Sequence, residues 1–139
     1  MATNIFEHIK SEHREVESLL EQLSGSYDRS TYDLLNQSLQ AHMKAEEESL
    51  YPAMEGQEGE MVQHAQEEHG QIRRLLQQLK QEGGAASVLS QLTQAIQDHV
   101  QEEENDMFPR AQQMFDQGRI EQLSQQFDEV DQRMIQLVR

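Results

Sequence analysis

The chain has 139 residues, of which 35% are apolar, with 26 acidic and 11 basic side chains, no cysteine and a net charge of −15. The missing cysteines exclude disulfides, thiolate metal sites and cysteine nucleophiles, and so acidic a chain without a basic stripe opposes a phosphate backbone, which argues against nucleic-acid binding. Every apolar stretch is broken by charge within a few residues, and the N-terminus lacks the basic start and long apolar block of a secretion signal, so a cytoplasmic protein away from the membrane is expected.

Gln, Glu, Leu, Lys and Arg dominate a chain with two prolines and seven glycines, a composition that favours an all-α protein. The first helix is expected from about Asn4 to Ser24, with Ile5, Ile9, Val16, Leu19, Leu20 and Leu23 at helical spacing. Gly25 to Asp28 read as a turn, and Ser30 or Thr31 as the next N-cap. The second helix carries Leu34, Leu35, Leu39, Met43, Leu50 and Met54 and ends near Gly56. The third runs from near Glu60 through Ile72, Leu75, Leu76 and Leu79 to Gly83-Gly84. The fourth begins near Ser87 and carries Val88, Leu92, Ile96, Val100, Met107 and Phe108. After Gly118 a further helix presents Ile120, Leu123, Phe127, Val130, Met134 and Leu137, a stripe expected to pack on the bundle or against another copy of the chain. Short connections make successive helices antiparallel neighbours. The expected architecture is one domain over 1–139, an up-down four-helix bundle over about 4–116 with an additional C-terminal helix over about 119–138.

An internal repeat carries the functional information. Glu12–Leu23 (EHREVESLLEQL) aligns with Glu68–Leu79 (EHGQIRRLLQQL) at an offset of 56, from 69 − 13. Ala41–Met54 aligns with Asp98–Ala111 at 57, from 99 − 42, pairing His42 with His99, Glu46 with Glu103, Glu47 with Glu104, Tyr51 with Phe108 and Pro52 with Pro109. Residues four apart share a helix face, so His42 with Glu46 and His99 with Glu103 each offer an imidazole and a carboxylate to one point. His13 and His69 join them from the other two helices. Four imidazoles and two carboxylates suit borderline divalent metals, iron especially. They predict two ions, each held by two histidines and bridged by Glu46 and Glu103, with vacancies for oxygen, peroxide or another small ligand. A ferritin-like site differs, being carboxylate-rich and built on Glu-x-x-His.

Single histidines and glutamate runs are more often surface or satisfied core. His8 and His64 fall outside the aligned segments and, taken as having no repeat partner, are read that way. Glu47 and Glu104 point about a third of a turn from the ligands, as outer or surface groups. Tyr51 is a candidate proton donor, although Phe108 at its repeat position favours a packing role.

The order His13, His42-x-x-x-Glu46, His69, His99-x-x-x-Glu103, followed by Tyr51-Pro52 and Phe108-Pro109, resembles the hemerythrin-like (HHE cation-binding) family. The resemblance covers His13 to about Ala111. It implies a four-helix bundle holding a non-haem di-iron centre with an oxo or hydroxo ligand beside the carboxylate bridges. Oxygen-carrying members have a further histidine where this chain has Ala65, and a closing Asp five residues after the last His rather than Glu103 four after His99. This chain resembles the more symmetrical, six-ligand relatives, for which redox reactivity or gas sensing is the expectation over stable oxygen storage. The cysteine-bearing segment of iron-cluster repair members is not in this sequence. The functions weighed are an oxygen carrier, sensor or scavenger, a di-iron oxidase or peroxidase, and an iron-handling protein.

Overall fold

Asn4 opens the first helix by accepting from the backbone N–H groups of Phe6 and Glu7, which satisfies two of the donors a helix start leaves free. The structure, a computed structural model, describes residues 2–138. Its elements are α1 (Ile5–Gly25), α2 (Arg29–Glu47), α3 (Leu50–Glu55), α4 (Gly59–Gln81), α5 (Ala86–Glu102), a π turn (Glu103–Met107), α6 (Phe108–Met114) and α7 (Gln117–Val138). Asp28, rather than Ser30 or Thr31, caps α2, by accepting from the Thr31 N–H. Among the described residues no helix is long and apolar enough to cross a membrane.

Two of the expected long helices are interrupted, one just after Glu47 and the other from Glu103 on, both duplicated glutamates. Pro52 and Pro109 cannot donate to the carbonyl four residues back, and their rings crowd it. In the second helix the chain breaks at Glu48–Ser49 before α3 resumes. In the fourth it absorbs the conflict as a π turn, in which the Phe108 N–H bonds to the Glu103 carbonyl five residues back.

The apolar stripes bury as two separate clusters. One gathers Leu20, Leu35, Leu39, Leu76, Leu92 and Ile96 with their neighbours; the other gathers Ile5, Phe6, Leu50, Met54, Phe108 and Phe127 with theirs. The duplicated polar residues occupy the level between them on all four long helices. Leu34, expected on the core stripe of the second helix, is instead 54% exposed, because it lies one position off the Leu35–Leu39 face.

α7 packs on α1 and α2. Leu123 and Phe127 are fully buried, the Ile5 N–H donates to Ser124 Oγ, and Gln37 Nε2 donates to the Ile135 carbonyl. Leu123, Phe127 and Val130 of this stripe are buried against the bundle, with Ile120 and Met134 partly buried beside them; the Leu137 side chain lies outside the described residues.

Candidate metal centre

His13 on α1, His42 and Glu46 on α2, His69 on α4, His99 on α5 and Glu103 at the start of the π turn meet between the two apolar clusters. None is more than 4% exposed. Their ligand atoms form two groups, His13–His42–Glu46–Glu103 and His69–His99–Glu46–Glu103, each with all atoms within 4.8 Å of one another. The two carboxylates are common to both groups.

Each imidazole is held from behind. His13 Nδ1 donates to Glu104 at 2.7 Å, His42 Nδ1 to Glu12 at 2.8 Å, His69 Nδ1 to Glu47 at 2.7 Å and His99 Nδ1 to Glu68 at 2.9 Å. The four supports are themselves duplicated, Glu12 with Glu68 at 56 and Glu47 with Glu104 at 57. Arg14 and Arg73 anchor Glu104 and Glu47 in turn, at 2.7 and 2.9 Å. Burial works to raise the Glu47 pKa, but His69 and Arg73 outweigh it and hold the carboxyl down at about 2.

A carboxylate only accepts, so each Nδ1 carries the proton and each Nε2 turns a lone pair inward. Four imidazole lone pairs and four carboxylate oxygens then converge on one dry space. His69 Nε2 and His99 Nε2 face each other at 3.2 Å. His13 Nε2, His42 Nε2, Glu46 Oε2 and Glu103 Oε1 are buried without a hydrogen-bond partner. Acceptors crowded in this way require positive charge among them. Protons can supply it: burial opposes charging His42 and His99, yet Glu46 and Glu103 respectively, with the supporting glutamates, raise both pKa values well above the ordinary. Metal ions fit better. The inward contacts measure 3.1 Å for His13–Glu103 and His69–Glu46, 3.3 Å for His99–Glu103 and 3.4 Å for His42–Glu46. Two donors about 2.1 Å from one ion, at right angles, stand about 3 Å apart. The buried cluster is one that could hold a metal, and its donor set suits one.

The only hydroxyl within hydrogen-bonding reach of the cluster, among the described residues, belongs to Tyr51. It donates to Glu103 Oε2 at 2.5 Å and lies 3.3 Å from Glu46 Oε1 and 3.2 Å from His69 Nε2. Burial first, then the charges of Glu103 and Glu46, push its pKa well above the ordinary phenol value. The packing role expected from Phe108 is thus corrected for Tyr51: its ring is buried, but its hydroxyl belongs to the cluster. Phe108 packs on Phe6 at 5.2 Å between ring centroids and has no such group to offer.

All six duplicated residues come together, with Glu47 and Glu104 behind them. Glu12 and Glu68 carry the same supporting role, which the repeated Glu-His dipeptide signals without stating. His8 and His64 require a correction. They are repeat partners, from 64 − 8 = 56, and both lie in outer clusters, His8 with Glu12 and Asp131 and His64 with Glu68 and Glu102.

A curated protein from Nostoc sp. (strain PCC 7120 / SAG 25.82 / UTEX 2576), named DNA nickase, is 30% identical over 133 residues, covering 89% of this chain and 38% of its own length. The chain thus spans well under half of that relative. No solved structure matches it. The hemerythrin HHE cation binding domain matches residues 4–111, which takes in all six inward-facing residues. The chain belongs to the hemerythrin HHE cation-binding family.

Proposed function

We propose that the chain is a non-haem di-iron protein that binds or reacts with dioxygen or a related small molecule, as a carrier, sensor or scavenger. In this reading His13 and His42 would hold one ion and His69 and His99 the other, with Glu46 and Glu103 available to both. The observation that carries it is the convergence of inward lone pairs and carboxylates with a single hydroxyl donor among them. Nitrogen and oxygen donors without thiolate suit iron among the divalent metals. An iron pair would supply electrons and open coordination positions to a small ligand. The protein's own part is positional. Glu12, Glu47, Glu68 and Glu104 fix each imidazole's proton on Nδ1, and the flanking apolar clusters exclude bulk water.

A specific observation favours a second reading, a di-iron oxidase or peroxidase. The Tyr51 hydroxyl oxygen lies 2.5 Å from Glu103 Oε2 and carries a proton where a reaction that consumes protons needs one. The DNA-cleaving activity in the Nostoc relative's name is not our reading, since a net charge of −15 opposes approach to a phosphate backbone.

The test is anaerobic titration of the apo-protein with ferrous iron, followed by optical spectra before and after admitting air. Saturation at two irons per chain with an absorption band that reverses on removing oxygen supports the binding role. A band that forms once and persists supports the oxidative reading. Failure to bind iron overturns both.

A further inference from the structure

Beyond the centre, the duplication continues outward. His8 with Glu12 on α1 and His64 with Glu68 on α4 stand at the same offset of 56, from 64 − 8 and 68 − 12. Each outer histidine turns Nε2 toward its glutamate, at 3.4 and 3.3 Å. The other oxygen of that glutamate accepts from a core histidine, Glu12 from His42 and Glu68 from His99. A third carboxylate completes each trio: Asp131 on α7, 3.5 Å from His8, and Glu102 on α5, 3.2 Å from His64.

The trios differ in what lies over them. α7 seals the first, where Asp131 is 4% exposed and the Phe127 ring stands edge-on to His8 at 4.9 Å. The second stays open, with the His64 side chain 59% exposed. It borders a cleft of about 320 Å³ whose walls include Met61, Ala65 and Met107. Glu103 also lines this cleft, buried, and with Oε1 lacking any hydrogen-bond partner. The cleft therefore reaches from the open trio to Glu103, a residue of the centre.

One ligand atom each from His64, Glu68 and Glu102 lies within 4.8 Å of the other two, close enough for the three to share one ion. Genuine Nδ1–carboxylate bonds in this protein measure 2.7 to 2.9 Å. Glu102 Oε2 is buried without a hydrogen-bond partner although His64 Nε2 is 3.2 Å away. The inward contacts of the core have the same longer spacing, 3.1 to 3.4 Å.

We propose that His64, Glu68 and Glu102 form a third, solvent-facing site for one divalent cation, and that the ion passes from there along the cleft to Glu103 and the centre. The passage rests on reading the six core residues as a di-metal centre; the outer site does not. One imidazole and two carboxylates suit a hard or borderline ion such as ferrous iron or manganese. Three protein donors, two of them on solvent-exposed side chains, leave the remaining positions to water, so this ion is held more weakly than the inner pair. Glu68 links the two levels, one oxygen facing the outer cation and the other bonded to His99. An ion bound for so dry a centre must shed its water in stages, and this trio exchanges part of that shell for carboxylate at the entrance.

The experiment titrates the anaerobic apo-protein with Co²⁺, counting bound ions by equilibrium dialysis and following the filling of the centre by stopped-flow absorbance. Wild type should bind two ions tightly and a third weakly. His64→Ala at an exposed position and Glu102→Gln at a half-exposed one, both outside the apolar clusters, should melt like wild type as apo-proteins. Each should keep the tight pair, lose the weak ion and fill the pair roughly tenfold more slowly or worse, the scale on which a lost metal-site carboxylate is felt. Retention of the weak ion by both variants overturns the outer site. Loss of the weak ion with an unchanged filling rate overturns the passage to the centre. A wild type without the tight pair, whose weak ion both variants lose, upholds the outer site and overturns the di-metal reading instead.

Discussion

At the residue scale, the division of labour within each imidazole is the controlling fact. Nδ1 is committed to a glutamate and Nε2 faces inward. Replacing Glu12 or Glu68 with Gln releases that commitment, since an amide can donate and the imidazole can then flip its proton. Metal affinity should fall by about 10- to 100-fold, measured by competition with a chromophoric chelator; unchanged affinity would mean that the imidazoles are held by packing alone. Tyr51→Phe removes the hydroxyl donor to Glu103. The apo-protein should lose about 1–3 kcal/mol, the cost of leaving a buried acceptor unpaired, while metal content stays unchanged. Thermal melts and metal analysis check the two halves of that statement.

His8 gives the apo-protein a pH signature. Hydrogen bonds to Asp131 and Glu12 raise its pKa from 6.5 to about 10. A pKa raised on folding stabilises below the unfolded value and is lost as pH climbs through the folded one. Stability from this histidine is therefore complete below about pH 6.5 and fades between 6.5 and 10. The melting temperature of the wild-type apo-protein should decline across that window, and His8→Gln should flatten the decline. A parallel decline in both proteins would show that His8 is not its source.

At the scale of elements, the repeat was legible because it conserves chemistry as well as hydrophobicity. His13 with His69, His42 with His99 and Glu46 with Glu103 announce themselves at two offsets, and the long helices follow from leucine spacing. The interruptions at Glu48–Ser49 and at the π turn were not legible, because periodicity continues through both; Pro52 and Pro109 gave the only hint. The supporting role of Glu12 and Glu68 was hidden for a different reason. It depends on which helix neighbours which, and spacing within one helix does not encode that. α7 was recognisable as amphipathic, but its docking face depends on Phe127 fitting edge-on to His8 and His42. Phe127→Ala should cost about 3–5 kcal/mol and free α7 from α1 and α2. Urea unfolding measures the loss, and hydrogen exchange should show it concentrated in Gln117–Val138.

At the scale of the whole molecule, two apolar clusters sit on either side of a charged layer, so the apo-protein carries its least favourable interactions at mid-height. Metal binding relieves them, and its free energy adds to folding. His42→Ala and Glu103→Ala should each lower metal content and the melting temperature measured with metal present. Full metal loading in either variant would remove that residue from the ligand set. The net charge of −15 acts over the same scale, since self-repulsion opposes compactness and salt screens it. The apo-protein should therefore melt at higher temperature in 0.5 M than in 0.05 M sodium chloride.

Tyr51 and Phe108 occupy equivalent positions in the repeat, and they differ by one oxygen atom. The two halves of the centre match in their imidazoles and share their carboxylates, so nothing in that inventory distinguishes left from right. The hydroxyl does. A small molecule entering the centre would meet a proton donor on the side of His69 and Glu103. The centre thereby acquires a polarity: one half of the repeat brings a proton donor to it, and the other does not.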